Sequence, residues 1–481
     1  MKFINYSLFT VVFSFFLFSC SKKITPQQSQ TNAPDSTLNK PNNIEVWLTE
    51  ENKSALFQQK NAIGFSQVKN QLPSIEINET KKFQQIDGFG FCLTDGSAYL
   101  INQMDEADKS KLLNELFSTD GNSIGISYIR ISIGASDLSE KVYSYDDLPE
   151  GQTDTDLSKF TIAENKKDLI PVLKMILKID PQIKILGSPW SAPVWMKDNG
   201  SSIGGSLLPK YYDVYANYFV KYIKAMKAEG INIDAITPQN EPLNPKNNPS
   251  MYMSAEEERD FIKNSLGPAF TNAGISTKIL CYDHNADEPQ YPLTILKDPE
   301  ARKYLDGSAF HLYAGDISAL SKVHDAFPEK KMYFTEQYTG SGSTFAGDLS
   351  WAIQNLIIGA TRNWSKNVLE WNLASDPNLE PHTDGGCNTC LGAVTIDGNK
   401  ITRNQSYYII AQASKFVRPG SYRIQSSEIA GVPNVAFATP TGKIVLIAMN
   451  TTDQPKSFNI KFEGKTAATS LNPGAVATYT W

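Results

Sequence analysis

The chain has 481 residues, of which 41% are hydrophobic and 11% aromatic, and a formal net charge of −6. That length predicts one large and one small domain with a substantial core, and the negative balance argues against nucleic acid as a partner. Four histidines occur, His284, His311, His324 and His382, with no paired-ligand spacing and no HExxH, so no zinc site and no cofactor is expected.

The first twenty residues read as an export signal: Lys2 precedes an apolar run from Leu8 to Phe18. That run is too short for a membrane span, which needs roughly 20 residues. It ends in Leu17-Phe18-Ser19-Cys20, which resembles the bacterial lipobox, so acylation at Cys20 is expected; an ordinary cleaved signal is the alternative. Residues 21–43 are polar and rich in Pro, Asn, Gln, Ser and Thr, the composition of a flexible linker. The expectation is an exported protein, periplasmic or cell-surface, that meets a bacterial membrane only through a lipid anchor. Within residues 44–80, Glu45–Leu48 and Ser74–Ile77 are strand-like.

A repeating theme follows, assigned to residues 81–417. Short β-rich runs occupy Gln84–Cys92, Ile126–Ile133, Ile183–Ser188, Ile233–Thr237, Lys278–Tyr282, Ser308–Tyr313, Lys331–Thr335 and Asn367–Trp371. Helical stretches separate many of them: Ala107–Phe117, Ala163–Ile179, Leu208–Ala228, Ala255–Ala273 and Asp348–Asn363. In Leu208–Ala228 the stripe of Tyr211, Val214, Tyr215, Tyr218 and Tyr222 reads as core packing. Eight alternating units predict an α/β fold, a (β/α)₈ TIM barrel. A doubly wound open sheet is the other architecture, weakened by the lack of a Gly-rich phosphate loop.

Cys92 and Cys281 sit in apolar strands and read as inert core thiols, whereas Cys387 and Cys390 form a C-x-x-C suited to a local disulfide in an exported protein. From residue 418 to 481 the pattern turns all-β. Tyr422–Ser426, Val435–Ala438, Lys443–Asn450, Ser457–Phe462 and Ala475–Trp481 form a small β-sandwich, which the strands of residues 44–80 are expected to join.

Barrel chemistry sits at the C-terminal strand ends. The fourth run ends in Asn240-Glu241-Pro242 and the seventh in Thr335-Glu336, which places two distant glutamates across one pocket. A carboxylate pair is what glycosidic cleavage requires, and close spacing gives retention of configuration. Glu336 is the candidate nucleophile and Glu241 the general acid/base. Around them Asn240 is placed to hold a sugar hydroxyl, Arg130 to keep the nucleophile ionised, and Tyr313 to hydrogen-bond Glu336. His311, Trp190 and Trp371 also end strands on this rim, and Asp95, after the first strand, suits a bidentate grip on two hydroxyls.

These residues carry a family resemblance. Ile86-Asp87-Gly88-Phe89-Gly90, Thr94-Asp95-Gly96, Tyr128-Ile129-Arg130, Tyr143-Ser144-Tyr145, Ser188-Pro189-Trp190-Ser191-Ala192-Pro193, Asn240-Glu241-Pro242, His311-Leu312-Tyr313, Thr335-Glu336 and Trp371-Asn372-Leu373 resemble glycoside hydrolase family 30, the group of lysosomal glucosylceramidase and microbial β-1,6-glucanases. The resemblance spans about residues 75–481 and implies a barrel with an attached β-sandwich. It also implies Glu241 as acid/base, Glu336 as nucleophile, and Asp95, Trp190, Asn240, His311 and Trp371 around the sugar. His311-Leu312-Tyr313 departs from the His-Trp-Tyr of the glucosylceramidase branch. With the loop Asn378–Leu391, this resembles more closely the endo-β-1,6-glucanase branch, with a β-glucan as substrate. An exo-acting β-glucosidase or glucosylceramidase-like enzyme, and a non-catalytic glycan-binding surface lipoprotein, are the alternatives.

Overall fold

A computed structural model describes residues 43–67 and 70–481. The export signal, Cys20 and nearly all of the linker lie outside the described residues; Asn43, placed at the linker's end, already belongs to strand Asn43–Thr49. Among the described residues no helix is long and apolar enough to cross a membrane.

Eight parallel strands close into a barrel: Gly88–Cys92, Tyr128–Ser132, Lys184–Ser188, Ala235–Ile236, Lys278–Ala286, Leu305–Gly315, Lys331–Glu336 and Ser365–Asn372. They are called the first to eighth strands below. Tyr128, Leu186, Ala235, Leu280, Ala309, Tyr333 and Leu369, one from each strand after the first, pack into one interior layer. The barrel is therefore a filled core, and a pocket can form only above that layer. The open doubly wound alternative is excluded by closure.

The first predicted run splits. Gln84 and Gln85 end a long outer strand, Ser74–Gln85, and the barrel begins only at Gly88. Between them Asp87 is buried and paired with Lys184 at 2.8 Å and Lys366 at 3.1 Å. Gly88 has φ +147°, and a Cβ there would stand 2.6 Å from Ser127 Oγ, so glycine permits the entry.

The tyrosine stripe is core. Tyr215, Tyr218 and Tyr222 are fully buried, and Tyr145 stacks on the last two with ring centroids 5.8 and 5.6 Å apart. The helix predicted over 163–179 starts only at Leu169, and helices at Asp95–Gln103, Gln290–Lys297, Ala319–Ala326 and Gln405–Ser414 complete the outer layer.

Apart from a two-stranded and a three-stranded sheet made by short strands between Thr339 and Arg403, the remaining strands form a nine-stranded sheet. It includes Asn43–Thr49 and Ser74–Gln85, as expected, with Gln58–Gly64 and Lys465–Leu471 at its two edges. The sheet rolls over on itself into a sandwich. Thr469 Oγ1 near one edge meets the Tyr479 hydroxyl at 3.2 Å, and Phe462 packs on Trp481. Alternation then divides the central strands. Ala436, Ile444, Leu446 and Ala448 face the sandwich core, while Val435, Phe437, Val445, Ile447 and Met449 join the barrel's own core.

That shared core yields a prediction. Phe437 is fully buried on the barrel-facing side, edge-on to Phe89. Phe437→Ala should destabilise the protein by about 3–5 kcal/mol in denaturant unfolding. A loss below about 1 kcal/mol would show that the sheet does not brace the barrel.

Candidate active site

Above the filled layer, strand ends deliver a second layer of polar side chains. Arg130 on the second strand is fully buried. Its Nη2 donates to Asp283 Oδ2 at 2.9 Å and Asn240 Oδ1 at 2.6 Å, its Nε to Ser188 Oγ at 3.3 Å, and its Nη1 to Glu336 Oε2. The guanidinium also lies 4.9 Å from the Trp190 ring and 5.8 Å from that of Trp371. A planar, permanently charged fork suits this site, since it serves four acceptors at once.

Asp283 is the second hub. It is fully buried and accepts from Arg130, Ser188 and Thr237 on one oxygen and from Thr335 on the other, where His311 Nε2 also lies 3.1 Å away. Burial alone would raise its carboxyl, but Arg130 and then His311 hold it far below the ordinary aspartate value.

His311 joins the two predicted catalytic residues. Its Nδ1 is 3.2 Å from Glu241 Oε1 and 3.8 Å from Glu336 Oε1. One oxygen of each glutamate and the histidine nitrogen all lie within 4.8 Å of one another. Tyr313 donates its hydroxyl to Glu336 at 2.9 Å, and Asn244 donates to Glu241 at 2.8 Å. Glu241 takes φ +45°, a left-handed conformation costly for a residue with a Cβ. Its backbone N–H donates to the Asp283 carbonyl at 3.0 Å, and its own carbonyl accepts from Asn244, which pins the strained turn.

Burial would lower His311, but the charges of Glu336, Asp283 and Glu241 outweigh it and raise the imidazole to about 9. Burial pushes Glu241 up, but the His311 hydrogen bond and charge hold it at about 2. Glu336 stands above its ordinary value because of burial, restrained by His311 and Arg130. The balance of these shifts favours the mobile proton on His311, whose Nδ1 is in hydrogen-bond reach of Glu241 and 3.8 Å from Glu336. Glu241, His311 and Glu336 are also a set that could ligate a metal ion. Arg130 already supplies a fixed cation against Glu336, and both ring nitrogens of His311 face carboxylates, so the donor set suits a proton better than an ion.

Glu241 and Glu336 line a cavity of about 650 Å³, together with Trp190, Asn240, Tyr313, Trp371, Asp137, Tyr338, Asn244, Asn247, His284, Cys387 and Cys390. Trp190 and Trp371 are buried with ring centroids 5.3 Å apart, whereas Tyr313 and Tyr338 are 37% and 38% exposed at the mouth. Asn240 commits its Oδ1 to Arg130, which leaves its amide NH₂ as the available donor. Cys387 and Cys390 are joined in a disulfide, and Cys390 packs with Trp190 and Trp371.

Asp95 does not line this cavity. It opens helix Asp95–Gln103, and its Oδ2 accepts from Ser139 Oγ at 2.8 Å and the Tyr143 hydroxyl at 2.7 Å. It faces a separate hollow with Tyr99, Lys141 and Glu164, where burial raises it to about 6. Among the acids that line the cavity beside Glu241 and Glu336 (Asp137, Asp287 and Glu288), Asp137 lies on the loop after the second strand. Burial and then the charge of Glu336 raise it to about 7, and its Oδ1 is buried without a partner, as is Trp190 Nε1. Orphaned polar atoms in a cavity wall are sites for ligand hydroxyls. The loop is docked by Thr383 N–H onto the Asp137 carbonyl at 2.9 Å, and a Cβ on Gly386 would stand 2.4 Å from the same oxygen. Asp283 and Asp137 were both missed from sequence. The signal for Asp283 was an acid following the apolar run Ile279-Leu280-Cys281-Tyr282 at a barrel strand's C-terminal end.

Paired buried carboxylates at the C-terminal mouth of a closed barrel, flanked by indole faces, define a glycoside hydrolase site. The model of the glycosyl hydrolase family 30 TIM-barrel domain matches residues 86–417, and that of the family 30 beta sandwich domain matches residues 420–479. An endo-1,6-beta-D-glucanase of Neurospora crassa is 40% identical over 360 residues, covering 72% of this chain and 73% of the relative. The lysosomal acid glucosylceramidase of Mus musculus is 30% identical over 436 residues, covering 85% and 83%. The solved endo-beta1,6-glucanase BT3312 superposes with a TM-score of 0.85 at 37% identity, covering 91% of this chain and 99% of that one. The chain belongs to glycosyl hydrolase family 30, as its motifs led one to expect, and it is a glycoside hydrolase.

Two predictions follow from the charge layer. Arg130→Met leaves Asp283 and Glu336 buried without their cation and should cost about 3–5 kcal/mol of stability. An unchanged unfolding midpoint would show that the pair is not coupled to the fold. His311 carries a value of about 9 against an ordinary 6.5, so the folded state holds a proton that the unfolded chain releases in that interval. Its contribution is full below about pH 6.5 and is lost as pH rises through about 9. The thermal midpoint should fall across this window, with a shallower slope in His311→Asn; a midpoint that rises from pH 6.5 to 9 rejects the coupling.

Proposed function

We propose that the protein cleaves β-linked glucan by double displacement with retention of configuration, acting as an endo-β-1,6-glucanase. The observation that carries the mechanism is the proximity of the two carboxylates, within 4.8 Å. Retaining enzymes need roughly 5–5.5 Å, whereas inverting ones leave roughly 6.5–9.5 Å for a water. The linkage is inferred from the endo-1,6-glucanase relatives at 37–40% identity.

The roles follow from the fixed and mobile partners. Glu336 faces Arg130, which cannot give up its charge, and the Tyr313 hydroxyl; it serves as the nucleophile. Glu241 faces His311, which can give up its proton. In the first step the C1–Oε bond to Glu336 forms as the C1–O glycosidic bond breaks, and Glu241 delivers a proton to the departing oxygen. Sugar entry excludes water, and the His311 proton passes to Glu241 along their 3.2 Å contact to prime that step. In the second step Glu241 takes a proton from water as it attacks C1 and releases Glu336. Asp137, Trp190 Nε1 and the Asn240 amide grip hydroxyls of the sugar being cleaved, and the indoles of Trp190 and Trp371 bound it.

On a soluble β-1,6-glucan, early products should be a ladder of short oligosaccharides whose new reducing ends appear first as the β-anomer by proton NMR. Glucose alone, or the α-anomer first, would reject endo or retaining action respectively. Glu336→Gln should abolish hydrolysis. Glu241→Ala should still glycosylate on activated aryl glucosides, where the leaving group needs little protonation.

We also infer that the protein is exported and anchored by lipid at Cys20, a reading supported by the signal-like residues before it. Cys20→Ala should abolish labelling with a fatty-acid analogue in cells; full labelling of that variant overturns the reading.

A further inference from the structure

Asp283 reaches the site because the fifth strand carries one residue too many. Along the sixth strand Tyr282 pairs with Ala309 and His284 with Phe310, so Asp283 has no counterpart. Tyr282 and Asp283 both take left-handed backbone, φ +82° and +59°. This bulge turns the Asp283 side chain in toward Arg130 and His311 and its carbonyl toward the Glu241 N–H. Two residues with a Cβ in left-handed conformations cost of order 1–3 kcal/mol each, so neighbours must hold them there.

The bulge also takes the Tyr282 N–H out of the ladder. The fourth strand cannot receive it, since its pairing with the fifth ends at Ile279. A buried N–H without an acceptor is costly. Here Glu258 Oε1 accepts it at 3.1 Å. Glu258 lies outside the barrel on helix Ala255–Phe261, is fully buried, and touches neither cavity nor catalytic group. Its Oε2 has no partner of good hydrogen-bond geometry among the described residues; the Tyr291 hydroxyl beside the carboxyl donates to the Met253 carbonyl at 2.9 Å.

We infer that Glu258 is a positioning residue: as a hydrogen-bond acceptor it holds the Tyr282–Asp283 bulge, and through it the Asp283 contacts to Arg130 and His311. This rests on the catalytic reading above. The groups facing His311 are Glu241, Asp283 and Glu336 as carboxylates, His284 and Tyr313 as rings, and Arg130 behind Asp283 and Glu336. Of these, the bulge places Asp283 and fastens the turn bearing Glu241.

The test compares Glu258→Gln and Glu258→Leu with the wild type, on a β-1,6-glucan and on an activated aryl β-glucoside, from pH 5 to 10. Glutamine keeps the acceptor and should hold kcat within about threefold of wild type with an unmoved alkaline limb. Leucine fills the space without an acceptor and should lose about 100-fold in kcat, the scale of a 1 Å misplacement. Its alkaline limb should move to lower pH, because His311 loses support from Asp283. Simple loss of folded enzyme would lower the rate without moving that limb. An unmoved limb in folded Glu258→Leu overturns the inference, as does a glutamine variant damaged as badly as the leucine one. If Glu258→Leu does not fold, Glu258→Gln decides alone: a shifted limb or a tenfold loss refutes it. A wild type inactive on every β-glucan would instead refute the catalytic reading, a separate outcome.

Discussion

The Arg130–Asp283 ion pair is the contact on which the active site depends. Both groups are fully buried, and neither would be tolerable there alone. Together they set up the site. Arg130 spreads its charge over Glu336, Asn240 and Ser188, and Asp283 spreads its own over His311, Thr237, Ser188 and Thr335. The pair sits directly on the apolar layer from Tyr128 to Leu369, so the low dielectric that makes it costly to assemble also strengthens each hydrogen bond it makes.

The asymmetry of the two glutamates follows from this arrangement. Each has a cationic partner, but a guanidinium cannot deprotonate and an imidazole can. A nucleophile needs a steady anion, and an acid/base needs a proton that comes and goes. The site meets both needs with one side chain from the second strand, Arg130, and one from the sixth, His311. Strain is concentrated in the same region: the left-handed residues Tyr282, Asp283 and Glu241 lie on adjoining strand ends joined by one backbone hydrogen bond.

The barrel was legible in the sequence because its strands are buried, β-branched and regularly spaced, and all eight runs found their strands. Glu241, Glu336, Asn240, His311, Tyr313, Arg130, Trp190 and Trp371 were legible because each directly ends or follows such a run. Asp283 directly follows the fifth run too, but nothing in Tyr282-Asp283 announces the bulge that turns it inward, since neither residue is a glycine. Asp95 was read as a rim residue because Thr94-Asp95-Gly96 looks like a loop, whereas Thr94 caps a helix that turns the acid away. Asp137 owes its place to the docking of Thr383 and Gly386, distant in sequence, which no local pattern encodes. The strand Gln58–Gly64 escaped notice because, lying exposed at a sheet edge, it lacks an apolar face.

The rolled sheet has a consequence for folding. Strand Asn43–Thr49 hydrogen-bonds along Val476–Thr480, so the sheet is complete only when two segments far apart in sequence have met. Until then the row Val435, Phe437, Val445, Ile447 and Met449 has no completed sheet to present it to the barrel. Closure of the sheet thus joins segments far apart in sequence, a pairing of high contact order that forms slowly and leaves unpaired strand edges open until it is made.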